Sequence, residues 1–279
     1  MFDERDEPGG LVRYGIAPYR QQNEPIPDEV RILGELGVKL RQRTPVDAAL
    51  LAELRADYDG LVLAIGMGGD TDVAYPGDEL EGVWDSLDFI ATLKTGGSIE
   101  PGPTAVVVGG GNTAIDCAVE LKRLGVGDVT MLYRRTESEM PAYAHEVELA
   151  RAEGVRFAWL AAPVRFLGDG HVHAVEALRM RLGDPDASGR RRPEEVPGSE
   201  FVLLADTVVK AIGQRARSDF LQLIDGLQMD ASRVAIDDDG RTTVPHVYSA
   251  GDAVNGGATV VEAVRVAKRV AAALHEDLT

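Results

Sequence analysis

The sequence predicts an α/β chain built from two doubly wound, mainly parallel sheets, and three observations carry that prediction. Residues 103–120 read as strand, glycine turn and helix, and residues 247–274 read as strand, Gly-Asp loop and helix. One strand-to-glycine unit also occurs twice, as Leu61–Gly66 and as Val208–Gly213, each ending Ala-Ile-Gly. Strands that alternate with helices and end in glycine are the pattern of parallel α/β sheets.

The elements follow in chain order. Met1–Glu4 reads as the tail of a strand. Residues 9–18 hold too many glycines for regular structure and too many apolar residues for a solvated tail. Pro27–Leu36 is amphipathic, with proline near its start and Gly37 at its end, and predicts a short helix. Val38–Arg41 reads as a strand, Asp47–Leu54 as a helix, and Leu61–Gly66 as a buried strand. Val83–Leu93 reads as helical, and Thr95–Ser98 with Pro101–Pro103 as a linker that marks a domain crossing.

Thr104–Val108 is a β-branched apolar run that breaks at Gly109, Gly110 and Gly111. After Asn112 the period becomes helical, with Ile115, Val119 and Leu121 turned toward a core. This is the first half of a Rossmann-like βαβ unit that binds dinucleotides. Gly109 allows the tight turn, Gly111 lets the backbone approach a pyrophosphate, and Ala114 is small enough for close helix–strand packing. The helix start, with Asn112 and Thr113, offers unpaired N–H groups and a positive dipole end to phosphate. Asp128–Tyr133 reads as the second strand and ends on Arg134 and Arg135. An NAD site would place an acid there, about 20 residues after the glycines; two arginines suit a 2′-phosphate and favour NADP(H).

Glu146–Glu153 predicts a helix stopped by Gly154, and Val155–Leu160 a strand. Residues 163–205 read as a β-ribbon around a polar insert at 183–199, which reads as a mobile, solvated loop despite its three arginines. His171 and His173 fit a hairpin surface, since no further Cys or His lies near to complete a metal site. Val247–Asp252 is a strand ending in Gly251-Asp252, followed by a helix from Thr259 to Leu274. The Asp252 carboxylate can accept hydrogen bonds from a ribityl or ribose hydroxyl. The helix start at Thr259 would stabilise negative charge at a flavin's N1–C2=O2 edge.

Composition narrows the classes. A net charge of −17 argues against a nucleic-acid partner. No run approaches the ~18 apolar residues of a membrane span, and no secretory leader is evident, so a cytoplasmic location is expected. Cys117 is the single cysteine and reads as a small buried residue, so the chain holds no C-x-x-C pair or all-cysteine iron–sulfur site of its own.

An ordered set of motifs then resembles one family. It comprises Gly9-Gly10-Leu11 with Tyr14-Gly15-Ile16, Ala64-Ile65-Gly66, Pro76-Gly77, Gly109–Ala114, Tyr133-Arg134-Arg135, Met140-Pro141, Ala211–Gln214 and Ala250-Gly251-Asp252. Over nearly the whole chain this resembles the small (beta) subunit of NADPH-dependent glutamate synthase and the flavin–NADPH portion of dihydropyrimidine dehydrogenase. The resemblance implies an FAD domain at 1–95 and 243–279, interrupted by an NADP(H) domain at 96–242. It implies FAD contacts at Asp3, Leu11, Arg20, Val46 and the stretch Gly251–Val260, which includes Asp252, Thr259 and Val260. It implies NADP(H) contacts at Gly111, Asn112, Thr113, Arg134, Arg135, Ala211, Ile212 and Gly213. Asn112 departs from the family's usual Asp, and Gln21-Gln22-Asn23 departs from its usual Leu-Pro. The family's iron–sulfur segment and the first βα unit of its FAD domain have no counterpart here, so the FAD domain is expected to be incomplete at its N-terminus. The implied activity moves hydride from NADPH to FAD and electrons on to a partner protein or small acceptor, with no side chain singled out as catalytic. The alternative is a non-catalytic NADP(H)-binding subunit, or a remnant, that no longer holds FAD.

Overall fold

The computed structural model describes every residue except Glu24, 186–188 and 190. The chain divides into two compact units. Unit 1 comprises Met1–Val12, Glu24–Gly69 and Gln214–Thr279, and unit 2 comprises Arg13–Asn23 and Asp70–Gly213. These limits differ from those expected: 70–95 and 13–23 join the glycine-turn unit, and 214–242 joins the other. The Gly/Pro stretch at 95–103 lies inside unit 2.

The elements up to the glycine turn are α1 (Gly10–Tyr14), α2 (Pro25–Glu35), α3 (Ala48–Asp57), β1 (Leu61–Leu63), β2 (Val83–Asp85) and α4 (Ser86–Lys94). Then come β3 (Thr104–Val108), α5 (Asn112–Arg123), β4 (Asp128–Tyr133), α6 (Ala144–Ala152) and β5 (Arg156–Trp159). The ribbon is β6 (Ala161–Asp169), β7 (His171–Pro185), β8 (Arg191–Glu195) and β9 (Phe201–Leu204). The chain continues through β10 (Thr207–Lys210), α7 (Ser218–Leu221), β11 (Met229–Asp230), β12 (Arg233–Val234), β13 (Val247–Ser249), α8 (Asp252–Asn255) and α9 (Val260–Leu278).

Unit 2 is built on a five-stranded parallel sheet in the order β2-β10-β3-β4-β5. Alternation sends Ala105 and Val107 of β3 to one face, with α5 and Phe89 and Ile90 of α4. Val106 and Val108 go to the other, against Phe166, Val172 and Val175 of the antiparallel ribbon. Both faces are therefore covered, which is why β3 is apolar on both from Ala105 to Val108.

Unit 1 contains the parallel pair β1–β13, in register from Leu61↔Val247 to Leu63↔Ser249. One parallel bridge, Phe2↔Arg41, lies outside the named strands. Leu51, Leu63, Val234 and Val247 form one core, and Tyr248 packs with Val266 and Val270 of α9.

Four local expectations change. Residues 10–14 form the short helix α1. Val38–Arg41 is not a strand, because pairing is confined to Arg41, which exchanges backbone bonds with Met1 and Asp3. Val83–Leu93 is strand then helix: Val83–Asp85 pairs with β10, and Asp70 accepts from Ser86 Oγ (2.6 Å) and Leu87 N (2.8 Å), fixing the helix start at Ser86. The insert at 183–199 contains β8, paired with β7 and tied by an Arg181–Glu194 ion pair at 2.9 Å. Positions 186–188 and 190 of that insert lie outside the described residues.

Candidate functional site

In unit 2 the site lies at the C-terminal edge of the parallel sheet, where an open α/β sheet binds its ligands. β3 leaves the sheet at Gly109, whose φ is +145° and whose N–H donates to Leu132 O at 3.0 Å. A Cβ at Gly109 would lie 2.1 Å from Ala211 O, and Ala211 N donates back to Val108 O at 2.8 Å. The glycine turn is thus pressed against the exit of β10, which brings Ala211, Ile212 and Gly213 beside it. Gly111 is different: a Cβ there would meet nothing within 4 Å. It is the N-cap of α5 and supplies no side-chain cap. The first-turn N–H groups of Asn112 and Thr113 therefore face an open cradle. The Asn112 side chain accepts from Tyr143 N at 3.0 Å, tying the start of α5 to the residue that caps α6.

The two arginines after β4 have different surroundings. Arg134 is exposed, and its charge opposes the burial that pushes the Tyr75 hydroxyl up. Arg135 is buried, and its Nε donates to Arg191 O at 2.9 Å. The Arg135–Arg191 contact was not legible in the sequence, because Arg191 lay in a stretch read as a solvated loop.

Arg20, placed by the resemblance among FAD contacts, stands in unit 2. Its guanidinium binds Asp116 of α5 and, at 2.7 Å, Glu146 of α6. Tyr19 OH donates to Asp116 at 2.7 Å and Tyr19 N donates to Glu120 at 2.8 Å. Burial pushes the Asp116 carboxyl up, against the hydrogen bond from Tyr19 and the charge of Arg20. Cys117 is fully buried, as expected, and burial pushes its thiol well up, so it is unreactive.

In unit 1 the candidate residues gather at the end of β13. Gly251, at φ +72°, leads into α8. Asp252 Oδ1 accepts from Ala258 N at 3.1 Å, and Asn255 Oδ1 accepts from Gly257 N at 2.9 Å. Thr259 caps α9 by accepting from Glu262 N, and Val260 opens that helix half exposed. Asn255 Nδ2 is buried in this loop without a partner. Asp3 sits at the Phe2 bridge and accepts from Arg5 N at 2.9 Å. Leu11 lies on α1, and Val46 packs on the core around Leu51 and Leu63. No group of three or more potential metal ligands occurs among the described residues.

A glycine-turn edge in one unit and a Gly-Asp loop leading to a helix in the other are the two candidate sites of an α/β protein. Residues 28–268 match the pyridine nucleotide-disulphide oxidoreductase family, and the chain belongs to that family. Mycobacterium tuberculosis FprA in complex with NADPH shares the fold at a TM-score of 0.78 and 21% identity, over 100% of this chain and 77% of that one. T. acidophilum thioredoxin reductase does so at 0.75 and 17%, over 99% and 89%. Among curated proteins, the NADP(+)-dependent formate dehydrogenase subunit beta of Moorella thermoacetica is 37% identical over 287 residues, 100% of this chain and 40% of its own length. The glutamate synthase [NADPH] small chain of Azospirillum brasilense is 34% identical over 292 residues, 99% of this chain and 60% of its own length. The chain therefore spans about two to three fifths of these relatives' length.

Proposed function

We propose that the chain is an NADPH-dependent flavin oxidoreductase that sends electrons to a partner protein or small acceptor. The observation that carries this is the glycine-turn edge: a strained Gly109, an open Gly111 cradle at the start of α5, and Arg134 exposed at the end of β4. These residues fit NADP(H). Backbone N–H groups of Asn112 and Thr113 hold the pyrophosphate, Arg134 and Arg135 take the 2′-phosphate, and Ala211–Gly213 line the approach. The Gly251–Val260 loop fits FAD, since the orphaned Asn255 Nδ2 lacks an acceptor that a ligand would supply. There Asp252 would accept from the ribityl chain and the start of α9 would stabilise charge on the flavin, while Asp3 would hold the adenosine ribose and Leu11 and Val46 would give apolar contact. Arg20 is committed to Asp116 and Glu146, which supports a role in anchoring residues 13–23.

When bound, the two cofactors supply hydride transfer from nicotinamide to flavin; the protein's part is position and electrostatics. The relatives named as subunits or small chains support a partner polypeptide as the electron acceptor. Among the described residues no helix is long and apolar enough to cross a membrane, which fits the cytoplasmic location we assign.

A second reading, an NADP(H)-binding subunit without FAD, is favoured by unit 1, whose described parallel pairing amounts to β1–β13 and the Phe2 bridge. An absorbance spectrum of the purified chain, with and without added FAD, separates the two. A flavin band that NADPH bleaches is expected; NADPH binding with no flavin band would establish the second reading. Replacing Arg134 with Gln is expected to weaken NADPH binding about tenfold or more and leave NADH unchanged. Equal losses for both nucleotides in titration would remove the 2′-phosphate assignment.

A further inference from the structure

The β7–β8 hairpin is built against the end of β4. Arg135 Nε donates to Arg191 O at 2.9 Å, across 56 positions of sequence. The same strand end is stitched to β7 through Leu160, which donates to Arg135 O at 3.1 Å and accepts from Met180 N at 2.7 Å. The Arg191 side chain is exposed but held: Nη2 donates to Leu182 O at 2.8 Å and Nε to Gly183 O at 3.3 Å. The Glu139 carboxyl, in the turn that follows Arg135, lies below its ordinary range, chiefly through the hydrogen bond from Thr136 and least through the charge of Arg191.

We infer that Arg191 is a third guanidinium of the pocket for a ribose 2′-phosphate, and that the β7–β8 hairpin delivers it. The inference rests on the NADP(H) reading above. A phosphomonoester near neutral pH carries close to two negative charges and three acceptor oxygens, more than one exposed arginine satisfies. Arg135 is buried and already spends Nε on the hairpin backbone. Arg191 stands on that same backbone, oriented by two carbonyls before any ligand arrives, so little side-chain freedom is lost on binding. Arg191 is therefore a specificity residue: it recognises the phosphate that distinguishes NADP(H) from NAD(H) and takes no part in hydride transfer.

The test uses the full chain with Arg191→Gln, Arg134→Gln and, as a control on the same strand, Arg192→Gln. Binding of NADPH, NADH, adenosine 2′,5′-bisphosphate and 5′-AMP is measured by calorimetry at two salt concentrations. The expected result for Arg191→Gln is a loss of about tenfold for the two 2′-phosphorylated ligands, none for the other two, and a weaker salt dependence. Arg192→Gln is expected to change none of these. If Arg134→Gln discriminates and Arg191→Gln does not, the Arg191 assignment is overturned and the NADP(H) reading stands. If neither variant separates the phosphorylated from the unphosphorylated ligands, both fall. A thermal melt of each variant identifies misfolding, and Arg191→Lys then restores charge without the fork: partial recovery for the 2′-phosphorylated ligands supports the assignment, and no recovery overturns it.

Discussion

Gly109 and Gly111 occupy one turn and do opposite work. At Gly109 a side chain would meet Ala211 O at 2.1 Å on a backbone at φ +145°, so glycine is there for the fold. Gly109→Ala is expected to lower stability by about 2–4 kcal/mol in denaturant titration and to disturb the approach of Ala211–Gly213. At Gly111 a methyl group meets open space, so glycine is there for the ligand. Gly111→Ala should hold the native stability to within about 1 kcal/mol while NADPH affinity falls. A variant that melts early at 111, or melts normally at 109, would contradict this division. The spacing of the two glycines and of Ala114 was legible in the sequence because the turn is local. The burial of Arg135 was not, because its partner Arg191 comes from another hairpin.

At the scale of elements, α5 and α6 share one cation. Arg20 binds Asp116 on α5 and Glu146 on α6, and both carboxylates are buried. Arg20→Met leaves that pair uncompensated at an expected cost of about 3 kcal/mol. The cost should vary with pH. Burial raises the Asp116 pKa, so its stabilising contribution is greatest at low pH and is lost as pH rises through the elevated folded value. Without Arg20 that elevation grows, and the stability gap to the parent protein should be widest above the raised Asp116 pKa and narrow below it. A gap independent of pH would mean that residues 13–23 are held by packing. Elements with strong periodicity were read from sequence at or near their true limits: β3, β4, α5 and α9 each carry a run of apolar positions that settles them. β2 and β8 were missed, because each is a strand only through its pairing: β2 finds β10 more than a hundred residues on, and β8 is a charged, proline-containing stretch that pairs with its neighbour β7.

At the scale of the molecule, two compact units with separate candidate sites predict ligand effects that stay separate. NADP+ is expected to raise one calorimetric transition, that of unit 2, and FAD the other. A single transition raised by both ligands would show that the units unfold as one. The connectivity behind the two units also fixes an order of events on the ribosome. Unit 2 is complete once Gly213 has emerged. Unit 1 is not, because Leu63 must wait 186 residues for Ser249, whose hydroxyl bonds its carbonyl. At ordinary elongation rates that wait is on the order of 10–40 s. The nascent chain therefore carries a finished unit while Met1–Val12 and Glu24–Gly69 still await Gln214–Thr279, and those two stretches are what a chaperone would have to shelter.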